Sequence, residues 1–148
     1  MYQEEANITV ERMNFSSKVS AYTALMKLRL AWLVVFSAVL GYMLAPGAIV
    51  WMDLLFLSAG GFLVTGSSNS FNQIWERDLD KKMDRTKNRP MPLGKVSVVE
   101  ALVFSSVIGI IGILSLWQLN PLSAILGMLA LASYVLIYTP LKTITPLS

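Results

Sequence analysis

Hydrophobic and polar positions along the chain fall into long blocks rather than a fine alternation. Charges are nearly absent over Leu30–Met52, Leu54–Trp75 and Ala101–Leu141, the last block broken only by the polar corner Gln118–Pro121. A helix needs about 20 mainly apolar residues to cross a hydrocarbon core of roughly 30 Å, so the blocks predict one, one and two membrane spans. Irregular backbone facing lipid is excluded, which makes the chain all-α: a polytopic transmembrane helix bundle with four spans. These are predicted at about Leu28–Ala45, Met52–Trp75, Val96–Trp117 and Leu122–Thr139. Pro46 and Gly47 mark the first turn, Pro121 suits the first position of the fourth helix, and Pro140 is expected to stop it. Only the connection between spans two and three is long enough to fold over anything.

Composition supports the membrane reading. Of 148 residues, 55% are hydrophobic and 14% charged, with mean hydropathy +0.59. The cations are segregated. Lys18, Lys27 and Arg29 stand at the start of span one, seven more lie from Arg77 to Lys95, and Lys142 follows span four, while the two short turns carry none. By the positive-inside rule the basic segments and both termini are cytoplasmic, in a cell (inner) membrane. Residues 1–20 read as a cytoplasmic tail without signal or transit features, residues 21–148 as one membrane domain, and residues 76–95 as its cytoplasmic loop.

The chain has no cysteine and no histidine, which excludes disulfides, thiol nucleophiles, His bases and Cys/His metal sites. Any metal sits on oxygen. The pI near 9.3 reflects the basic collar rather than nucleic-acid binding.

The informative stretch closes the second span: FNQIWERDLDKKMDRTKNRP, Phe71 to Pro90. Asn72, Glu76, Asp80 and Asp84 recur every fourth residue, and at about 100° per residue they fall within roughly 120° of one helix face. Their hard oxygens suit Mg²⁺, which typically binds through one or two carboxylates plus substrate phosphates. Arg85, Lys87 and Arg89 follow at once, where Thr86, Asn88 and Pro90 are expected to end the helix and turn the chain back over the stripe. Upstream, GGFLVTGSSNS is rich in small residues that admit a neighbouring helix or an apolar ligand. A polar head at the rim and a tail in the bundle describe a lipid-soluble diphosphate. The charge run also reads as an ordinary solvated collar, with Arg77, Lys81 and Arg85 pairing local acids and Asp78 facing water; Gly60, Gly61 and Gly66 also read as plain helix packing. Against the collar stands Asn72 with Glu76, since ionisable groups near membrane depth are costly and functional by default.

The run NQIWERDLDKKMDRTKNRP resembles the first aspartate-rich motif of the UbiA-type intramembrane prenyltransferases, in the form carried by their haem-farnesylating branch. The general motif is N-D-x-x-D-x-x-x-D; Asn72, Glu76 and Asp80 match it, with Gln73 and Glu76 standing where the family has Asp. ALMKLRL before span one and YTPLKTITPL after span four are similar to the family's flanking segments, so the likeness covers about Tyr22 to Ser148. The resemblance implies Mg²⁺-dependent transfer of a farnesyl group from farnesyl diphosphate to a vinyl group of haem B, giving haem O. It assigns Asn72, Glu76, Asp80 and Asp84 to the metal, the first three as the catalytic set, and Arg85, Lys87, Arg89 and Lys142 to the diphosphate. It also implies a fold of about nine helices with a second aspartate-rich motif. This chain resembles the first half, and alone it is expected to make no haem O. Other readings are a quinone- or chlorophyll-precursor prenyltransferase, a membrane protein that only binds prenyl diphosphate or haem, and, weakly, a transporter.

Overall fold

Helix α3, Trp51–Lys82, is the axis of the molecule, which is seen as a computed structural model describing residues 15–144. Its 32 residues extend about 48 Å at 1.5 Å per residue. Before it come α1, Phe15–Met26, and α2, Leu28–Leu44, bent 49° from each other. After it come α4, Val98–Leu119, and α5, Pro121–Ser133, which passes through a π-helical turn, Tyr134–Tyr138, into α6, Thr139–Ile144. Helices α2, α4, α5 and α6 all pack on α3.

Two stretches are long and apolar enough to cross a membrane, Val98–Leu119 and Pro121–Ile144, and a third if α1 and α2 form one bent span. Of the four expected spans, α3 is the one that falls short in apolar character, because Gly66–Ser70 and Asn72 dilute it while it remains easily long enough. The side chains that dilute it are buried: Ser67, Ser68, Asn69, Ser70 and Asn72 all face protein. Leu33, Phe36, Val103, Ile110, Leu126 and Leu136 point outward as an apolar surface suited to lipid.

Small residues let α3 and α4 approach closely. A Cβ on Gly112 would lie 2.9 Å from the Val64 backbone nitrogen, and one on Gly60 2.7 Å from Leu116. The Ser67 hydroxyl donates to the Ser105 carbonyl across the same contact, 2.7 Å. Gly66 is filled by Met26 of α1, whereas Gly61 faces open space. Gly60 and Gly66 therefore serve packing.

Three boundaries differ from expectation. The second helix continues past Trp75 to Lys82, since WERDLDKK contains neither Gly nor Pro and its last-turn Lys81 and Lys82 favour the helix C-terminus. Pro140 does not stop the last helix. Lacking an N–H and crowding the carbonyl four residues back, it is accommodated by the preceding π turn, and the helix resumes at Thr139. The expected tail is helical from Phe15, with Ala21 and Leu25 buried against Ile74, Met91, Val96 and Ala101; residues 1–14 lie outside the described region. Lys18 and Tyr22 fasten this helix to Glu100 of α4, at 2.7 and 3.1 Å.

Candidate active site

Asn72, Glu76 and Asp80 lie on one buried face of α3, with 1%, 6% and 3% of their surfaces exposed. They point into the protein, not to lipid or water. The Asn72 amide donates to Glu76 Oε2, 3.0 Å, which turns the carboxylate along the helix. Asn72 Oδ1 is met by the Thr139 hydroxyl, also at 3.0 Å. Thr139 is fully buried, and its single proton serves either Asn72 or the Tyr134 carbonyl at 2.8 Å. The π turn thus delivers a hydroxyl to the site.

Each carboxylate meets a cation from a different segment. Lys142 of α6 lies 3.1 Å from Glu76 Oε1. Arg89 forks onto both oxygens of Asp80, at 3.0 and 3.2 Å, and reaches within 3.9 Å of Glu76. Arg89 gets there because α3 ends at Lys82 and the chain folds back in tight turns, with Thr86 and Lys87 donating backbone N–H to the Met83 carbonyl. The Thr86 hydroxyl then ties the turn to the Asp80 carbonyl, 3.0 Å. Between these groups lies a hollow of about 190 Å³, lined by Glu76, Asp80, Arg85, Arg89 and Lys142. Buried carboxylates in so apolar a setting require such partners.

Asp84 departs from the predicted stripe. The helix stops two residues earlier, so Asp84 is fully exposed and pairs with exposed Lys87 at 3.1 Å. Neither joins the hollow. Arg85 reaches its lining from an exposed position, and Asp78 is exposed as expected. Among the described residues, no three His, Cys, Asp or Glu side chains cluster as a metal site, leaving the Glu76 and Asp80 pair.

Sequence reasoning missed Thr139, Asn69, Gln73 and the position of Lys27. Asn69 and Gln73 are buried polar residues in an apolar block, which was the available signal; the backbone geometry at Lys27 left none. One turn below Asn72, a second, open hollow of about 420 Å³ is lined by Leu33, Val34, Val64, Asn69, Ala130 and Tyr134. It is mostly apolar and lies between α2, α3 and α5.

Comparison with known proteins identifies the family. The UbiA prenyltransferase family matches residues 34–148. The chain is 47% identical over 133 residues to a protoheme IX farnesyltransferase of Christiangramia forsetii, covering 90% of this chain and 44% of that protein. It is 39% identical to one from Flavobacterium johnsoniae over 145 residues, 96% of this chain and 48% of that protein. A third, from Cytophaga hutchinsonii, is 42% identical over 135 residues, 90% of this chain and 47% of that protein. The chain spans about half the length of these curated relatives. No solved structure matches it. With a family match over most of the chain and the motif's Asn, Glu and Asp on one inward face of α3, this chain belongs to the UbiA prenyltransferase family.

Proposed function

We propose that the polar end of this chain holds the diphosphate of farnesyl diphosphate, and that the chain takes part in farnesyl transfer to a vinyl group of haem B. One observation carries the reading: two buried carboxylates a turn apart, each met by a cation from a distant segment, at a small polar hollow. The names of the relatives favour haem as acceptor over an aromatic quinone or chlorophyll precursor.

The donor chemistry fits Mg²⁺. Glu76 and Asp80 offer hard oxygens in the number Mg²⁺ usually takes from protein, one or two, with substrate phosphates completing its shell. When bound, the ion would act as a Lewis acid on the departing diphosphate. Asn72, held by Thr139, orients Glu76, while Asp84 stands outside the set. Arg89 and Lys142 bind phosphate oxygens and stabilise charge growing on the leaving group, with Arg85 at the rim. As the allylic C–O bond breaks, its electron pair leaves with the diphosphate and the haem vinyl π-bond forms the new C–C bond to the allylic carbon; the cation left on the other vinyl carbon is then quenched by a water that gives up its proton. The apolar hollow below takes the prenyl tail and keeps water from the allylic cation until that bond has formed. No protein nucleophile is required. The basic collar at this end supports a cytoplasmic position for it, by the positive-inside rule.

The chain in lipid nanodiscs tests this. It should bind farnesyl diphosphate with Mg²⁺ and lose at least tenfold in affinity with EDTA, with Glu76→Gln, or with Asp80→Asn. Binding unaffected by all three sinks the assignment. Mixed with farnesyl diphosphate, haem B and Mg²⁺, the chain alone should yield no haem O. Labelled prenyl transferred to an aromatic acid rather than haem would select the other branch of the family.

A further inference from the structure

We propose that Lys27 is a further cation of the diphosphate site, presented by a left-handed break between α1 and α2 that the Asn69 and Gln73 amides clamp onto α3. This rests on the reading of the hollow as a diphosphate site.

Lys27 has φ 52° and ψ 64°, the one non-glycine with positive φ among the described residues. Left-handed backbone is strained for a lysine, and the side chain makes no capping hydrogen bond in return. Such strain persists only where the surroundings hold it, and it collects at functional sites.

The surroundings here are specific. Breaking the helix strands the carbonyls that close α1. The Gln73 amide donates to Ala24 O and Leu25 O at 3.0 and 3.2 Å, and the Asn69 amide to Met26 O at 2.9 Å. Met26 packs onto the bare backbone of Gly66, where no Cβ fits. Gly66, Asn69 and Gln73, three and four residues apart, thus form a seat for the break on α3. Its row lies beside Asn72 and Glu76, each three residues on, so the seat and the carboxylate stripe are neighbouring faces. Gln73 is 2% exposed, and its Oε1 has no hydrogen-bond partner. A buried orphan acceptor is a second local penalty at this spot. A break needed only to bend the chain would require neither.

The seat puts Lys27, half-buried, beside the carboxylate face of α3 and within electrostatic reach of Arg89, Glu76, Lys142 and Asp80, without lining the hollow itself. Arg85, Arg89 and Lys142 already face Glu76 and Asp80 at the hollow, and Lys27 adds a further positive charge beside it, which strengthens the pull on a diphosphate.

Lys27→Gly separates the role from the shape, because glycine accepts the left-handed conformation while removing the ammonium. In nanodiscs this variant should melt at or above the wild-type temperature yet bind farnesyl diphosphate with Mg²⁺ at least tenfold more weakly, with Lys27→Arg recovering most of the loss. Gln73→Leu should weaken binding too, and the double variant should be no weaker than Lys27→Gly, since the amide acts through the lysine. Wild-type affinity in Lys27→Gly, alongside the expected loss in Glu76→Gln, overturns this inference and leaves the diphosphate site standing. If Glu76→Gln also binds normally, both fall.

Discussion

The Arg89 guanidinium lies against Asp80, nine residues back along the chain, with one nitrogen 3.0 and 3.2 Å from the two carboxylate oxygens and the same nitrogen 3.9 Å from Glu76. One side chain therefore offsets the charge of Asp80 and reaches towards Glu76, whose direct partner is Lys142. Arg89→Ala should destabilise the chain by roughly 2–3 kcal/mol, towards the low end for breaking a buried pair because the guanidinium keeps partial access to water. Diphosphate affinity should drop about tenfold or more, the worth of one charge-assisted hydrogen bond. Unfolding in bicelles and equilibrium binding read the two effects, and an Arg89→Ala chain that is as stable as wild type would contradict the buried-pair account.

Thr139 holds Asn72 across the longest sequence separation in the site, 67 residues. Thr139→Val keeps the shape but leaves Asn72 Oδ1 buried without that donor, for an expected loss of about 1–3 kcal/mol. Thr139→Ser should restore most of it. Equal stability of the Val and Ser variants would show that the hydroxyl does not matter.

Asp84 and Lys87 make the opposite case. Although they continue the motif in sequence, their ion pair is solvated, and Asp84 is fully exposed. Asp84→Asn and Lys87→Ala should leave both melting temperature and Mg²⁺-dependent diphosphate binding unchanged within error. A tenfold loss of binding in either variant would return them to the site.

Glycines in α3 and α4 separate by environment. Gly112→Ala drives a methyl against the Val64 backbone, which cannot yield, and should cost ~1–3 kcal/mol; Gly61→Ala meets nothing within 4 Å and should be neutral or mildly stabilising. Comparing their unfolding midpoints checks the α3–α4 contact directly.

Much of this protein was legible in its residues. The thickness of the bilayer sets helix length, so charge-free blocks mark helices, and the four-residue recurrence of Asn72, Glu76 and Asp80 places them on one face because helical period is a local property. Arg89 and Lys142 were legible only as ligands of a diphosphate, alongside Arg85 and Lys87, and not as partners of the carboxylates. What local pattern could not reach was everything decided by contact. Asp84 leaves the stripe because the helix ends at Lys82, a boundary fixed by the returning turn and Thr86 rather than by propensity. Thr139 enters because it directly follows the π turn Tyr134–Tyr138, at the register that lets its hydroxyl meet Asn72. Lys27 reaches the site only because amides 42 or more residues away hold a helix break open, a geometry that neither α1 nor α2 would adopt unaided. The sequence alone set the helices and the oxygen-bearing face; packing between distant segments chose which charges meet there, since hydrogen bonds to stranded carbonyls and buried carboxylates exist only once the helices have come together.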